Sequence, residues 1–487
     1  MKSDTPFRCR IQKITIENLK NVFYGDVRFA SSTYDDIFRK ESDILGVYGQ
    51  NGSGKTTLVF SVDVLKQLLC GRRLWKDMDK FIRVGASSAK INYEISLESK
   101  EYGNYLVNYT VVFKAKKSAA GPAVMGLLDE EQHLAEAPVY LSEEKLQYKK
   151  INGEKGNRYN GIIEYSYDNG NDIIFGPEIR YREFVGKDRG LADELRYLKN
   201  AVYKSGSSFI FSIAKISDIR KRQGFSRELV YIMDSIKMFG VAKLFVMSNV
   251  QASIVNANIL LPMSFCLMED DRETLKLVNI NIKLTDETNV PQDAYELIAG
   301  RFRVIDRVLA KVVPNMSLKV ANRGSRIDEK GEPSVIIELV SVRNENEIPL
   351  RYESDGIKKL IYVMYSLIAM YNDPSVTVAI DELDSGVFEY LLGELLNVLQ
   401  EHAKGQLIFT SHNLRALEVL DKKSILFSTA NENNRYIHFK NIKASNNLRD
   451  VYYQDILLGG QNECVYEPTS QSSIRKAFRE AGGDING

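Results

Sequence analysis

The chain has 487 residues, 44% hydrophobic and 26% charged, with a net charge of +1. That is the composition of a globular protein of two or three units, with no overall basic field to announce nucleic acid. Four scattered cysteines (Cys9, Cys70, Cys266 and Cys464) form neither a CxxC metal pair nor a disulfide framework, which points to a reducing compartment. The N-terminus lacks a signal-peptide core, and no window reaches the ~18 apolar residues of a membrane span. The chain therefore reads as cytoplasmic, without a membrane partner.

The opening stretch FRCRIQKITIENLKNV alternates about Ile11, Ile14 and Ile16, as a strand with one buried face does. DILGVYG is a short apolar run ending in glycine, a buried strand. After it, Leu58, Val62, Leu65 and Leu69 recur at helical spacing. AKINYEISL and YLVNYTVVFKA alternate again and predict an antiparallel pair. From about Ala119 to Val290 the character changes. A small-residue joint leads to GIIEYSYDNGNDIIFG, which reads as a hairpin turning at Asp168-Asn169-Gly170. Helical patches follow over Leu191–Lys204 and Ser226–Met238. QDAYELIAGRFRVIDRVLAKV predicts a helix and SVIIELVSV a strand, while VTVAI and QLIFTS are runs of the kind buried on both faces of a sheet. SILFST and RYIHFKN would close that sheet. No heptad pattern persists, so no long coiled coil is expected.

Three motifs carry chemistry. Gly49-Gln-Asn-Gly-Ser-Gly54-Lys55-Thr56 matches GxxxxGK[ST] between a predicted strand and a predicted helix, the context of a P-loop. Its glycines let backbone N–H groups turn inward on phosphate, and the helix N-terminus adds partial positive charge. The expected nucleotide contacts are Gly49, Asn51, Gly52, Ser53, Gly54, Lys55, Thr56 and Thr57. Lys55 would reach the β- and γ-phosphates, and the Thr56 hydroxyl would ligate Mg²⁺. In VTVAIDELDSG, Asp381 would hold Mg²⁺ and Glu382 would orient or deprotonate a water. Glu382 directly after Asp381 is the pattern of ATPase motors rather than of small GTPases and kinases.

In LRYESDGIKKLIYVMYSLIAMY, Ser354 is a good N-cap for a helix with Ile357, Leu360, Ile361, Met364, Leu367 and Ile368 on one face. Ser354-Asp355-Gly356 thus makes a second polar, glycine-containing helix entrance. Finally QLIFTSHN puts His412 at the end of a buried strand, where an imidazole can hydrogen-bond a γ-phosphate.

The order of these motifs resembles the ABC-type ATPase heads of the SMC, RecF and OLD (overcoming lysogenization defect) group, over about residues 1–115 and 290–445. ITIENLKNV is similar to that group's opening strand. The resemblance implies an α/β fold: a two-lobed ABC-type P-loop ATPase head with an α+β insertion between the lobes. The lobes would be 1–118, with the P-loop, and 291–448, with signature, Walker B and switch histidine. Residues 119–290 would be the insertion and 449–487 a tail. It implies ATP and Mg²⁺ as ligands and assembly through the nucleotide sites into a homodimer or higher oligomer. There Ser354 and Gly356, with Lys358 or Lys359, would cap a partner's nucleotide, Asp384 and Ser385 would cross to the partner, and His412 would sense the γ-phosphate. Two departures stand out: no glutamine occupies DKFIRVGASSAKI, where a Q-loop is expected, and the signature lacks its leading Leu and second Gly.

An SMC protein would need long coiled coils, and an OLD nuclease a Toprim domain with a DxD motif after His412; neither is found. AAA+ motors are set aside for want of an arginine-finger arrangement. ESDGIKKLI, IDELDSGVFEYLLGELL and TSHNLRALEVL look like the stand-alone ATPases of bacterial defence islands (RloA-, AbiL-, PtuA- and AriA-like), which act with a separate nuclease or toxin effector. The alternatives are a RecF-like DNA-repair clamp, with Arg180, Arg182 and Arg220-Lys221-Arg222 on phosphates, and an ATP-gated scaffold with little turnover. Glu269, Asp270 and Asp271 read as a solvated acidic loop.

Overall fold

The computed structural model describes residues 7–29, 38, 41–116, 136–151, 158–168, 174–213, 226–268, 275–327, 331–440, 447–459 and 461–485. In chain order the first elements are β1 (Phe7–Leu19), β2 (Val22–Arg28), β3 (Asp43–Tyr48), α1 (Lys55–Leu69), β4 (Ala89–Ser99), β5 (Gly103–Ala115), β6 (Val139–Lys150) and β7 (Asn160–Ser166). Next come α2 (Glu178–Val185), α3 (Arg189–Ser205), α4 (Ile210–Ile213), α5 (Arg227–Met238), β8 (Leu244–Met247), α6 (Asn249–Asn256), β9 (Leu260–Met268) and β10 (Leu275–Lys283). They are followed by β11 (Thr288–Pro291), α7 (Gln292–Val312), β12 (Ser317–Ile327), β13 (Pro333–Arg343), β14 (Asn346–Pro349), α8 (Asp355–Asn372) and β15 (Thr377–Ile380). The chain continues with α9 (Glu389–His402), β16 (Gln406–Thr410), α10 (Ala416–Val419), β17 (Ile425–Ser428), β18 (Tyr436–Ile437), α11 (Leu448–Leu458) and α12 (Gln471–Ile485).

Two six-stranded sheets organise the molecule. The first runs β2-β1-β4-β5-β6-β7 and is antiparallel throughout. The second runs β18-β17-β3-β16-β15-β8; its strands are parallel except for the two-residue edge strand β18. Every residue of β3, β15, β16 and β17 is buried, as expected of parallel strands covered on both faces. Helix α1 covers one face: its Leu58, Val62, Leu65 and Leu68 share a core with Leu45, Val47, Ala379 and Ile408 of the parallel sheet and with Ile91, Tyr93 and Ile95 of the antiparallel one. The Tyr93 hydroxyl donates to the Ser61 carbonyl at 2.6 Å, fixing α1 against β4. On the opposite face α9 and the second half of α8 pack with Val378, Ile380, Leu407 and Phe409.

A third core joins α7 and the first half of α8 to the antiparallel strands β11, β13 and β12, with β14 beside β13. Helix α8 belongs to two cores at once, through Val363, Leu367 and Met370 on one side and Leu360, Ile361 and Met364 on the other. The described residues of the stretch 119–290 are shared out among these layers. Strands β6 and β7 extend the antiparallel sheet, β8 pairs in parallel with β15, and β9 with β10 forms a two-stranded sheet. The hairpin expected around Asp168 has β7 as its first arm, and among the described residues its return is a single bridge of Gly176 to Glu164; Asn169 and Gly170 lie outside the described residues. Among the described residues no helix is long and apolar enough to cross a membrane.

Candidate functional site

The site lies at the carboxyl ends of β3, β15 and β16, where an open parallel sheet exposes its crevice. Between β3 and α1 the chain must turn with successive N–H groups facing inward, and glycine makes this possible. Gly52 has φ +80 and Gly54 φ +98, both left-handed. Gly49 is crowded as well: a Cβ there would lie 2.1 Å from Ser428 Oγ at the end of β17. Lys55 Nζ lies folded over the loop, donating to the carbonyls of Gly49 at 2.8 Å and Gln50 at 3.0 Å. Burial holds this ammonium below the usual lysine range, opposed first by Asp381, then by Glu382 and Asp384. The Ser53 hydroxyl donates to the Gln50 carbonyl at 2.6 Å and meets Ser428 Oγ, so it braces the loop from below. Tyr436 of β18 adds a bond from its hydroxyl to the Gly54 carbonyl at 2.7 Å.

Asp381 is 1% exposed. Its Oδ1 accepts from Thr410 Oγ1 at 2.6 Å and from Thr56 Oγ1 at 3.3 Å. Its Oδ2 is buried and has no hydrogen-bond partner. An unsatisfied carboxylate oxygen costs too much to leave buried without a role, and hard oxygen donors from Asp381 and Thr56 fit Mg²⁺. Glu382 follows with φ +50, its N–H donating to Thr410 Oγ1 at 2.7 Å. One threonine hydroxyl thus serves both acidic residues.

Asn51, Gly52, Gly54, Lys55, Thr56, Thr57, Glu382, Thr410 and His412 line one cavity of about 370 Å³, together with Lys20 and Asn21. So the P-loop, the acidic pair and the histidine, far apart in sequence, meet at one place. His412 is exposed, and its N–H and that of Asn413 donate to Asp384 Oδ2 at 3.0 and 2.9 Å. Asp384 therefore orders the turn carrying His412 from within its own chain. Thr57 is buried, and its hydroxyl donates to Asn21 Oδ1 at 3.0 Å, a bond within the chain.

Ser354 and Gly356 are not among the residues lining this cavity. Ser354 is exposed and caps α8, its hydroxyl accepting from the Ile357 N–H at 3.4 Å. Gly356 abuts the loop after Walker B so closely that a Cβ would lie 1.9 Å from the Gly386 carbonyl oxygen. The lysines expected beside them do not face outward. Lys358 Nζ bonds Asn258 Oδ1 and Asp355 Oδ1, each at 2.8 Å, and Lys359 Nζ bonds the Asp381 carbonyl at 3.3 Å. Both are buried, because their positions flank the apolar stripe of a helix that has cores on two sides. Neither is placed to cap a partner's nucleotide.

Three contributors escape the motif reading. Thr410 belongs to no motif, although it stands two residues before His412 at the end of β16. Lys20 and Asn21 sit in ITIENLKNV, where a strand's alternation carries no signal for the polar residues that follow it. Asn21 ties β1 to the P-loop through Gly52 and Thr57. Lys20 lies 3.9 Å from the centre of the Phe60 ring, with burial lowering its pKa against the pull of Asp381 and Asp63. Of the arginines expected to meet nucleic acid, Arg180 pairs with Glu183 and Arg182 with Glu178. Residues 220–222 and 269–271, like His133, lie outside the described residues. Among the described residues no cluster of three His, Cys, Asp or Glu could hold a metal ion.

The model of a family described as "AAA domain, putative AbiEii toxin, Type IV TA system" matches residues 122–418, more than half of the chain. The match takes in the signature, Walker B and His412, and begins after the P-loop. Its description carries the AAA label, which the motif reading sets aside. Several solved structures are similar. "Crystal structure of the SmcHead bound to the C-winged helix domain of ScpA" is 11% identical with TM-score 0.39, covering 88% of this chain and 97% of that one. An Smc head domain with an extended coiled coil, bound to the C-terminal domain of ScpA derived from Pyrococcus furiosus, is 12% identical with TM-score 0.37 and covers 88% and 96%. The SMC head domain from Thermotoga maritima is 12% identical with TM-score 0.32 and covers 89% and 100%. No curated protein matches the chain.

Proposed function

The chain belongs to this AAA-domain family, and from that premise we propose that it is an ATP-binding and ATP-hydrolysing ABC-type ATPase subunit of a bacterial antiphage defence system. In this reading it forms an ATP-dependent oligomer that senses infection and controls a separate nuclease or toxin effector. The observation that carries the ATPase reading is the convergence of Lys55, Thr56, Glu382 and His412 on one cavity, with Asp381 bonded to Thr56 behind it and one buried oxygen of Asp381 left unpartnered. Lys55, already loosely held by loop carbonyls, turns to the β- and γ-phosphates. Thr56 and Asp381 hold Mg²⁺, which when bound neutralises charge on those phosphates. Glu382 takes the proton of a water whose oxygen bonds the γ-phosphorus as the bond to the ADP oxygen breaks. His412, on its Asp384-braced turn, hydrogen-bonds the γ-phosphate and releases when it leaves.

Support for assembly comes from the entrance of α8. Ser354 does not line the nucleotide cavity of its own chain, and nearby Tyr352 and Phe388 are 71% and 73% exposed. Aromatic side chains left open beside a capping motif are what a partner subunit would cover. Support for an effector is the likeness of three segments to defence-island ATPases and a family description that names a toxin. The repair-clamp alternative has less behind it, since Arg180 and Arg182 are already paired with carboxylates.

The test uses Glu382→Gln. Wild-type protein should release phosphate from Mg-ATP. The variant should keep ATP bound, gain mass by light scattering on adding Mg-ATP, and co-purify with the product of the neighbouring gene. A mass that stays monomeric with ATP, with no neighbour retained, sinks the sensor-and-effector reading. Phosphate release that duplex DNA stimulates and salt suppresses would favour the clamp. Assembly without measurable turnover in the wild type would favour the scaffold.

A further inference from the structure

Asp381 and Glu382 share one peptide unit, and side chains from two other elements hold both of its ends. The carbonyl oxygen, on Asp381, accepts from Lys359 Nζ at 3.3 Å. The N–H, on Glu382, donates to Thr410 Oγ1 at 2.7 Å. A planar peptide can turn about its flanking bonds only by giving up both partners, and in a buried setting each loss is costly. The orientation matters because Glu382 has φ +50. Left-handed backbone is strained for a residue with a Cβ, and turning the preceding peptide is the direct way to relieve it. The two bonds oppose that relief, and in the held conformation Glu382 lines the nucleotide cavity.

Lys359 is on the first turn of α8 and is 1% exposed. Burial lowers its pKa, against the pull of Asp381, Glu382 and Asp384 in that order. Those three carboxylates also face Lys55, so a lysine from α1 and a lysine from α8 flank one acidic group. Gly356, three residues before Lys359, is pressed against the Gly386 carbonyl. The first turn of α8 is therefore fixed to the Walker B segment at both 381 and 386.

We propose that Lys359 is a positioning residue for hydrolysis: by holding the 381–382 peptide it keeps Glu382 in the strained conformation that presents it to the cavity, and it links that conformation to the start of α8, where Ser354 awaits a partner's nucleotide. This deepens the ATPase reading and rests on Glu382 as the residue that activates water.

The experiment compares wild type, Lys359→Met, Lys359→Arg, Glu382→Gln and the Lys359→Met/Glu382→Gln double variant. It measures single-turnover phosphate release, affinity for a fluorescent ATP analogue with Mg²⁺, and Tm. Lys359→Met should slow hydrolysis at least ~10-fold, the effect of losing a hydrogen bond from a charged donor. Nucleotide affinity should change less than ~3-fold, separating turnover from binding. Lys359→Arg should recover most of the rate, and Lys359→Met should add little to Glu382→Gln, because both remove one function. If Lys359→Met does not fold, Lys359→Gln makes the same comparison. Hydrolysis within ~2-fold of wild type, or losses that multiply in the double variant, would overturn the positioning role of Lys359. If Glu382→Gln itself turns over normally, the role assigned to Glu382 falls; if it is slow while Lys359→Met is not, only the positioning role of Lys359 falls.

Discussion

The two ends of the nucleotide machinery contrast in how finished they are. At the P-loop cavity one chain already brings the groups together: Lys55 on loop carbonyls, Thr56 and Thr410 on one oxygen of Asp381, Thr57 on Asn21, and Asp384 under the turn of His412. At the start of α8 the capping serine stands exposed, with Tyr352 and Phe388 open beside it. The lysines that might have completed a phosphate grip are turned into the core instead. A site assembled from four elements of one chain should bind its ligand as a monomer. A helix entrance with exposed aromatics that lies outside that cavity should act only when another surface arrives.

The contrast can be broken most forcefully at Lys55. Lys55→Ala removes the only charged group of the loop that spans 49–56, and nucleotide affinity should fall ~100-fold or more, a loss of about 3 kcal/mol. Titration of a fluorescent ATP analogue measures it. An affinity within a few-fold of wild type would mean that phosphate is gripped elsewhere, and the cavity would lose its assignment. A smaller and different effect belongs to the other end. Ser354→Arg and Phe388→Asp should leave monomer affinity within ~3-fold, yet abolish the ATP-dependent mass change seen in light scattering, because each places charge in a surface meant to be covered. If either variant still assembles, the aromatic surface beside α8 is not the contact. If either loses ATP binding as a monomer, the two ends are not separable as described.

What the sequence made legible follows from the range of the forces involved. Local signals survive reading: the run QDAYELIAGRFRVIDRVLAKV is α7 residue for residue, and VTVAI and QLIFTS contain the parallel neighbours β15 and β16. The P-loop could be found because glycine spacing, a buried strand and an amphipathic helix adjoin. Long-range pairing left no such mark. Strand β8 is the four residues LFVM, too short for periodicity, and only its pairing with β15 places it in the parallel sheet. Strands β6 and β7 read as part of an inserted unit because nothing in their alternation names β5 as a neighbour. Adjacent lysines at 358 and 359 look like a solvated face, and only a helix packed on two sides buries them. Thr410 was invisible for a related reason: a hydroxyl's value lies in what it bonds, and its partners Asp381 and Glu382 come from another strand end.

The smallest expected effect tests whether the two ends are mechanically independent. Helix α1 begins at the P-loop and α8 at the signature, and both wall a cavity of about 300 Å³ containing Asp63 and Lys66 from α1, Arg301 from α7, and Tyr365 and Ser366 from α8. Burial is the main cause that pushes the Asp63 carboxyl up to about 6, with Lys66 the first of the groups opposing it. The folded protein then binds a proton on Asp63 between its ordinary value of 3.8 and about 6, where the unfolded chain does not. Stability from this group is therefore full below pH 4 and lost as pH rises through 6. Asp63→Asn removes the dependence. Its Tm should equal that of wild type near pH 4 and exceed it by about 1–2 °C above pH 7. A gap that is absent at pH 7.5 would show that solvent or Lys66 already satisfies the carboxylate. Repeating the measurement with Mg-ATP on Glu382→Gln and its Asp63→Asn derivative reads the coupling directly. If nucleotide shifts α1 against α8, the hydration of Asp63 changes and the Tm gap at pH 7.5 changes with it. If the gap is the same with and without nucleotide, the wall between the two helices is rigid, and α8 learns of ATP only through the 381–386 segment that Lys359 and Gly356 hold.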